Sequence, residues 1–243
     1  SDEETPAATG LKPGILPPIK VRSQRRATAQ AMIGNRGGAA GPAQPPAVGS
    51  VKSVVIMMRF SNHLARTLPS NENINTLFNN VGPHALAPTG SVRDLYLENS
   101  YGQLTLNSSV FGWVNLPQTE QYYANGNSGL TTVIWQAITA ALTAADPLID
   151  FSQYDDDSDG FVDAIAIIHS GYAAEWGGTD VDGTDYTSRI WSHRWAIPTW
   201  TSAEGVKVSD YHISPGLWGL SGSAPGRIGV ISHETGHFFG LPD

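Results

Sequence analysis

The 243-residue chain contains no cysteine. Disulfide bridges, thiolate metal ligands, a cysteine nucleophile and a metal-masking cysteine within this chain are excluded together. No apolar run reaches about 18 residues, so no segment reads as a membrane-spanning helix. Basic residues are few: 14 Lys and Arg stand against 22 Asp and Glu, giving a net charge of −8. With no extended basic stripe, nucleic acid is not an expected partner. The first 50 positions lack any aromatic residue and are rich in Pro, Ala and Gly around the basic knot Lys20 to Arg26. Such a composition buries little surface, so residues 1–50 read as a flexible leader or a propeptide remnant. The chain opens Ser-Asp-Glu-Glu without a basic and apolar signal pattern, as a chain with its signal removed or an expressed fragment would.

Apolar residues make up 40% of the chain, enough for a sizeable core. The β-branched run Val51 to Phe60 reads as a central strand. Ser91 to Ser100 has helical spacing, with Val92, Leu95 and Tyr96 on one side and Ser91 placed as N-cap. Residues 101–110 and 111–116 alternate as two strands, and residues 130–145 carry one apolar helical stripe. Asp163 to His169 reads as a buried strand, and residues 171–227 as a loop-rich stretch suited to building a cleft. Strands alternating with helices predict an α/β (α+β) fold, with a mixed twisted sheet and a C-terminal helix packed on it.

The chain ends His233-Glu-Thr-Gly-His-Phe-Phe-Gly-Leu-Pro-Asp243, an HExxHxxGxxD pattern. Two histidines at i and i+4 share one helix face, where both can reach a single Zn²⁺ at about 2.0–2.1 Å. Glu234 sits beside that metal, where a carboxylate can take a proton from the attacking water. Gly240 suits the chain reversal needed to bring in a third ligand, for which Asp243 is placed. Three protein ligands leave one tetrahedral position open, the mark of a catalytic rather than a structural zinc site. Apolar neighbours, among them Val230, Ile231, Phe238 and Phe239, point to a buried helix rather than a solvated one.

Upstream, Asp155, Asp157 and Asp159 alternate before Gly160, followed by Phe161 and Asp163. That is an oxygen-ligand pattern for structural Ca²⁺, with the Phe161 carbonyl contributing and Asp163 as a further acid. Ala166 stands where a helix–loop–helix calcium hand requires a bidentate Glu, so the loop belongs to another architecture. His169 reads as a core histidine satisfied by hydrogen bonds more readily than as a ligand. Glu175 fits the lining of a cleft, a cation site or a solvated carboxylate equally well. His193, between Trp191 and Trp195, fits packing, or donation to an oxyanion across a cleft.

These segments, with Ile190-Trp-Ser-His193 and Phe111-Gly-Trp-Val114, resemble the immune inhibitor A family of secreted bacterial zinc metalloendopeptidases over about Val51 to Asp243. The resemblance implies a metzincin-like catalytic domain over 51–243, zinc on His233, His237 and Asp243, Glu234 as general base, structural calcium, protein or peptide substrates, and secretion as a precursor. Relatives of this kind continue past the motif through a methionine-bearing turn. Met32, Met57 and Met58 all lie upstream here, so the domain reads as C-terminally incomplete and weakly active alone. Two further readings stand beside peptide hydrolysis: a catalytically inactive, calcium-stabilised zinc-binding module derived from a protease, and hydrolysis of a non-peptide ester or amide.

Overall fold

The computed structural model describes residues 48–239 and Leu241. The reading of residues 1–50 as a leader therefore falls almost wholly outside the described residues, as do Gly240 and Asp243. Five strands form one mixed sheet in the order β2-β1-β3-β5-β4. β1 (Gly49–Arg59) lies parallel to both β2 (Leu104–Asn115) and β3 (Ile165–Tyr172), and β3 lies parallel to β5 (Lys207–Leu217). β4 (His193–Thr201) closes one edge antiparallel to β5.

Both sheet faces are covered, and the period of two along a strand divides the core. Val55 and Met57 of β1 and Ala166 and Ile168 of β3 face α1 (Asn71–Asn79), α2 (Val92–Asn99) and α5 (Ile228–Gly236). The alternate residues Val54, Ile56, Met58, Ile165 and Ile167 face α3 (Glu120–Ala124) and α4 (Ile134–Ala145). The result is three layers, helices on either side of a sheet.

Local sequence explains most elements. Ser91 caps α2 in a reciprocal capping box with Asp94, as expected, and Ser70 does the same for α1 with Asn73. The short α1 leaves no clear helical signature in the sequence, because its polar run hides the apolar spacing of Ile74, Leu77 and Phe78. Residues 101–116 form one strand rather than two: Tyr101 and Gly102, both at positive φ, turn out of α2, and a register shift opposite Ile56 and Met58 absorbs the irregularity that mimicked a break. α4 begins at Ile134, because the preceding residues close a tighter i→i+3 turn, Ile134 N–H to Thr131 O at 3.2 Å. β3 starts later than expected and runs on through His169 to Tyr172, buried throughout.

Residues 171–227, loop-rich in sequence, contain the two strands β4 and β5. β5 is covered on both faces, so it lacks the alternation by which a half-exposed strand announces itself. Pro215, a residue that argues against a central strand, sits where the β3–β5 register shifts.

Ile138 on α4 is fully buried in the larger core cluster. Ile138→Ala is expected to lower unfolding stability by about 2–5 kcal/mol through lost burial and a residual cavity, measured by urea denaturation.

Candidate active site

The helix carrying the HExxH pattern is positioned by both of its ends and by its buried side. α5 follows β5 through a tight connection in which Gly226 N–H donates to the Gly216 carbonyl at 2.9 Å. Ile231 is buried against α1, α2 and the sheet. The hydroxyl of Tyr96 on α2 donates to the Ser232 carbonyl, and the Tyr96 ring meets Phe239 edge-on at 5.1 Å. Burial, reinforced by the charge of Glu234, raises the Tyr96 hydroxyl well above its usual range, so it stays a neutral donor. Gly236 lies against the same hydroxyl: a Cβ there would stand 3.1 Å from the Tyr96 oxygen and 3.2 Å from Leu241.

His233 and His237 are brought together, their ring centroids 4.9 Å apart and nearly perpendicular. The α-helix ends at Gly236 and tightens into one 3₁₀ turn over His237–Phe239. Leu241 N–H then donates back to the Gly236 carbonyl at 3.1 Å, closing the helix end. The Leu241 carbonyl in turn accepts from His237 Nδ1 at 2.9 Å. A carbonyl can only accept, so this bond puts the ring proton on Nδ1 and the lone pair on Nε2, the tautomer in which a histidine ligates through Nε2. Both histidines are half-buried, and Glu234 between them is buried at 6% exposure. The residues described fit a metal held by His233 and His237.

The acidic loop is assembled in part. Oxygens of Asp155, Asp157 and Asp159 lie within 4.8 Å of one another, the one such cluster of three among the described residues. Asp155 and Asp157 also accept from Asp159 N–H at 2.9 and 3.1 Å. Phe161 donates its N–H to Asp159 Oδ1 at 2.8 Å, and Asp163 accepts from Asp156 N–H at 2.6 Å. Burial raises the Asp163 carboxyl, and the charges of its three Asp neighbours add to the shift against that hydrogen bond.

His193 lies at the start of β4 and Glu175 in the 3₁₀ turn that follows β3. His193 shares the face of β4 that carries Trp195 and Ile197 into the α4 side of the core. Its Nδ1 donates to Trp191 O at 2.7 Å and its Nε2 accepts from Tyr211 Oη at 2.8 Å. Glu175 accepts from Ser192 N–H at 3.0 Å, and burial raises its carboxyl.

A second buried polar cluster escaped the sequence reading. Glu120, at the start of α3, is fully buried between two histidines: Oε2 lies 3.5 Å from His63 Nε2, and Oε1 lies 3.9 Å from His169 Nδ1. Neither carboxyl oxygen has a well-formed hydrogen bond among the described residues, although the nearby Ile190 N–H favours the ionised form against burial. Burial pushes the Glu120 carboxyl up to about 8, against the pull of Arg66 and Arg189, and pushes His63 down to about 3. His169 is the buried core histidine expected, yet only half satisfied: Nδ1 accepts from Gly171 N–H at 3.1 Å while Nε2 has no hydrogen bond. Gly171 is required here, since a Cβ would stand 2.0 Å from Glu120 Oε1. No local motif flags this group, because residues 63, 120 and 169 meet only through the sheet.

A histidine-bearing helix buried on a mixed α/β sheet, with a carboxylate between its histidines, defines the class as a metal-dependent peptidase domain. The chain belongs to the immune inhibitor A peptidase M6 catalytic-domain family, which matches residues 71–243. It is 30% identical over 182 residues to Immune inhibitor A of Bacillus thuringiensis subsp. alesti, an alignment covering 62% of this chain and 25% of that protein. It is 28% identical over 182 residues to the Pre-pro-metalloprotease PrtV of Vibrio cholerae serotype O1 (strain M66-2), covering 63% of this chain and 18% of that protein. The chain thus spans a quarter or less of the length of these relatives.

Glu120 makes folding stability depend on pH. Its native carboxyl holds a proton up to about 8, whereas the unfolded carboxyl releases it near 4.5. The native state therefore loses stability as pH rises through this window, the full contribution being present only below it. In urea unfolding, Glu120→Gln is expected to gain on wild type steadily between pH 5 and pH 8, and an unchanged difference across that range would reject a protonated Glu120.

Proposed function

We propose that this chain is the catalytic part of a zinc-dependent endopeptidase. The observation that carries the reading is the paired His233 and His237 on a buried helix, with His237 held by Leu241 in a ligating tautomer. His233, His237 and Asp243 would hold the zinc. Zinc bound there supplies a Lewis acid that polarises the scissile carbonyl and lowers the pKa of water. Glu234 removes the proton from the attacking water and delivers it to the departing amine. Its burial at 6% exposure favours this role, since a shielded carboxylate is more basic than a solvated one.

The substrate reading rests on the sheet edge. β4 is the outermost strand, and Arg194 on it stacks over Phe238 at 4.9 Å, one residue beyond His237. An extended polypeptide paired along the side of β4 that no described strand occupies would run beside the histidines, and this favours protein substrates over small esters or amides. We also propose that Asp155, Asp157, Asp159, the Phe161 carbonyl and Asp163 bind structural calcium. Among the described residues no helix is long and apolar enough to cross a membrane. The name of the Vibrio relative, a pre-pro-metalloprotease, supports secretion from a precursor.

The test is hydrolysis of unfolded casein by the full-length protein and its Glu234→Gln variant at matched zinc content. Wild type is expected to cut, and the variant to lose activity by at least about 100-fold, the scale of a general base. Stoichiometric zinc in both without cleavage by either would favour the inactive zinc-binding module. For the acidic loop, added calcium is expected to raise the thermal midpoint of wild type and to leave that of Asp157→Asn nearly unmoved.

A further inference from the structure

His212 lies mid-strand on β5, buried and in register with Ala166 of β3 and Arg194 of β4. Thr235 Oγ1 stands 3.1 Å from His212 Nε2 and 2.8 Å from the Ile231 carbonyl. A threonine has one hydroxyl proton, and the carbonyl can only accept it, so His212 Nε2 must donate to Thr235. The ring also meets Phe238 edge-on at 5.9 Å. His212 Nδ1 is buried and has no hydrogen-bond partner among the described residues. A neutral apolar side chain would fill this site without stranding a polar atom, so the imidazole costs stability where it stands.

What it contacts gives that cost a reason. Thr235 precedes His237 by two residues and Phe238 follows it by one, so His212 brackets the second histidine of the pair. Helix geometry changes at the same place, α up to Gly236 and 3₁₀ from His237. The angular step per residue grows across this switch, from 3.6 residues per turn to 3.0. The direction of His237 relative to His233 therefore depends on what holds the switch from outside the helix. Tyr96 grips the backbone at Ser232, on the α2 side, and the sheet-side hold is His212.

We propose that His212 is a positioning residue, whose Nε2–H bond to Thr235 and contact with Phe238 set the orientation in which His237 meets the metal; this rests on the metal-site reading above. The test uses the full-length protein, stripped of metal and titrated with Co²⁺, reading the visible ligand-field absorption and the affinity against a chelator. Denaturant unfolding of the metal-free protein is followed in parallel. His212→Leu and Thr235→Val are each expected to weaken cobalt binding by about 10- to 100-fold and to shift the absorption bands. The double variant is expected to bind no more weakly than the worse single one. Metal-free His212→Leu should unfold at the wild-type midpoint or above it. His212→Gln, whose amide can donate in place of Nε2, should recover most of the affinity. Wild-type affinity and bands in folded His212→Leu would overturn the proposal, as would a fall in metal-free stability matching the fall in affinity. Should His212→Leu fail to fold, wild-type cobalt binding by Thr235→Val would overturn it as well. A wild type that takes up no cobalt would overturn the metal-site reading and this one with it.

Discussion

The docking of α5 on the sheet is the constraint on which the site depends. A nine-residue helix has little intrinsic stability in water, and tertiary contact must supply what nucleation costs. Ile231, with Ile228 and Phe239 packed beside it, provides the apolar contact, and the directional holds are polar: Tyr96 on the Ser232 carbonyl and His212 on Thr235. Apolar burial alone is non-directional and would leave the helix free to rotate or slip by small amounts. Two hydrogen bonds from different elements, α2 and β5, restrict that freedom. The histidine pair inherits its direction from them.

The two sheet faces divide the chemistry. On the α5 face lie the histidine pair, the buried Glu234 and the His212 contact. On the α4 face lie His193, His169, His63 and Glu120, all buried or half-buried and set among core residues. The Glu120 group is costly by any account, since a buried carboxyl without good hydrogen bonds is tolerated only when it stays neutral. Its raised pKa and the lowered pKa of His63 describe one outcome, a neutral acid between neutral imidazoles. Arg189, fully buried, ties the 177–178 turn by donating to both glycine carbonyls and feels the charges of Asp180 and Glu120. This polar interior, together with the buried Trp176, Ile190 and Trp191, binds the long 173–192 connection to the sheet.

Legibility from sequence followed the range of the interactions. Capping of α2, the apolar stripe of α4 and the β-branched run of β1 are local patterns, and they reappear in the structure with boundaries shifted by a few residues. β4 and β5 were hidden because burial on both faces erases alternation, and Pro215 masked a strand that accommodates it at a register shift. The pairing of His233 with His237 was readable, because i and i+4 share a face in any α-helix. The change of helix type at His237, the Leu241 carbonyl on its ring and the His212 bond were not, since each depends on the backbone beyond one turn.

By itself, then, the chain determined the layered α/β class, the spacing of two histidines around a glutamate, and the clustering of three aspartates. These are properties of neighbours in sequence, fixed by helix and turn geometry. Only the tertiary structure decided that His193 meets Tyr211, that Glu120 meets His63 and His169, and that His212 bonds Thr235. Such contacts join positions tens of residues apart, and the sheet order β2-β1-β3-β5-β4, which no local pattern encodes, brings them within hydrogen-bond distance.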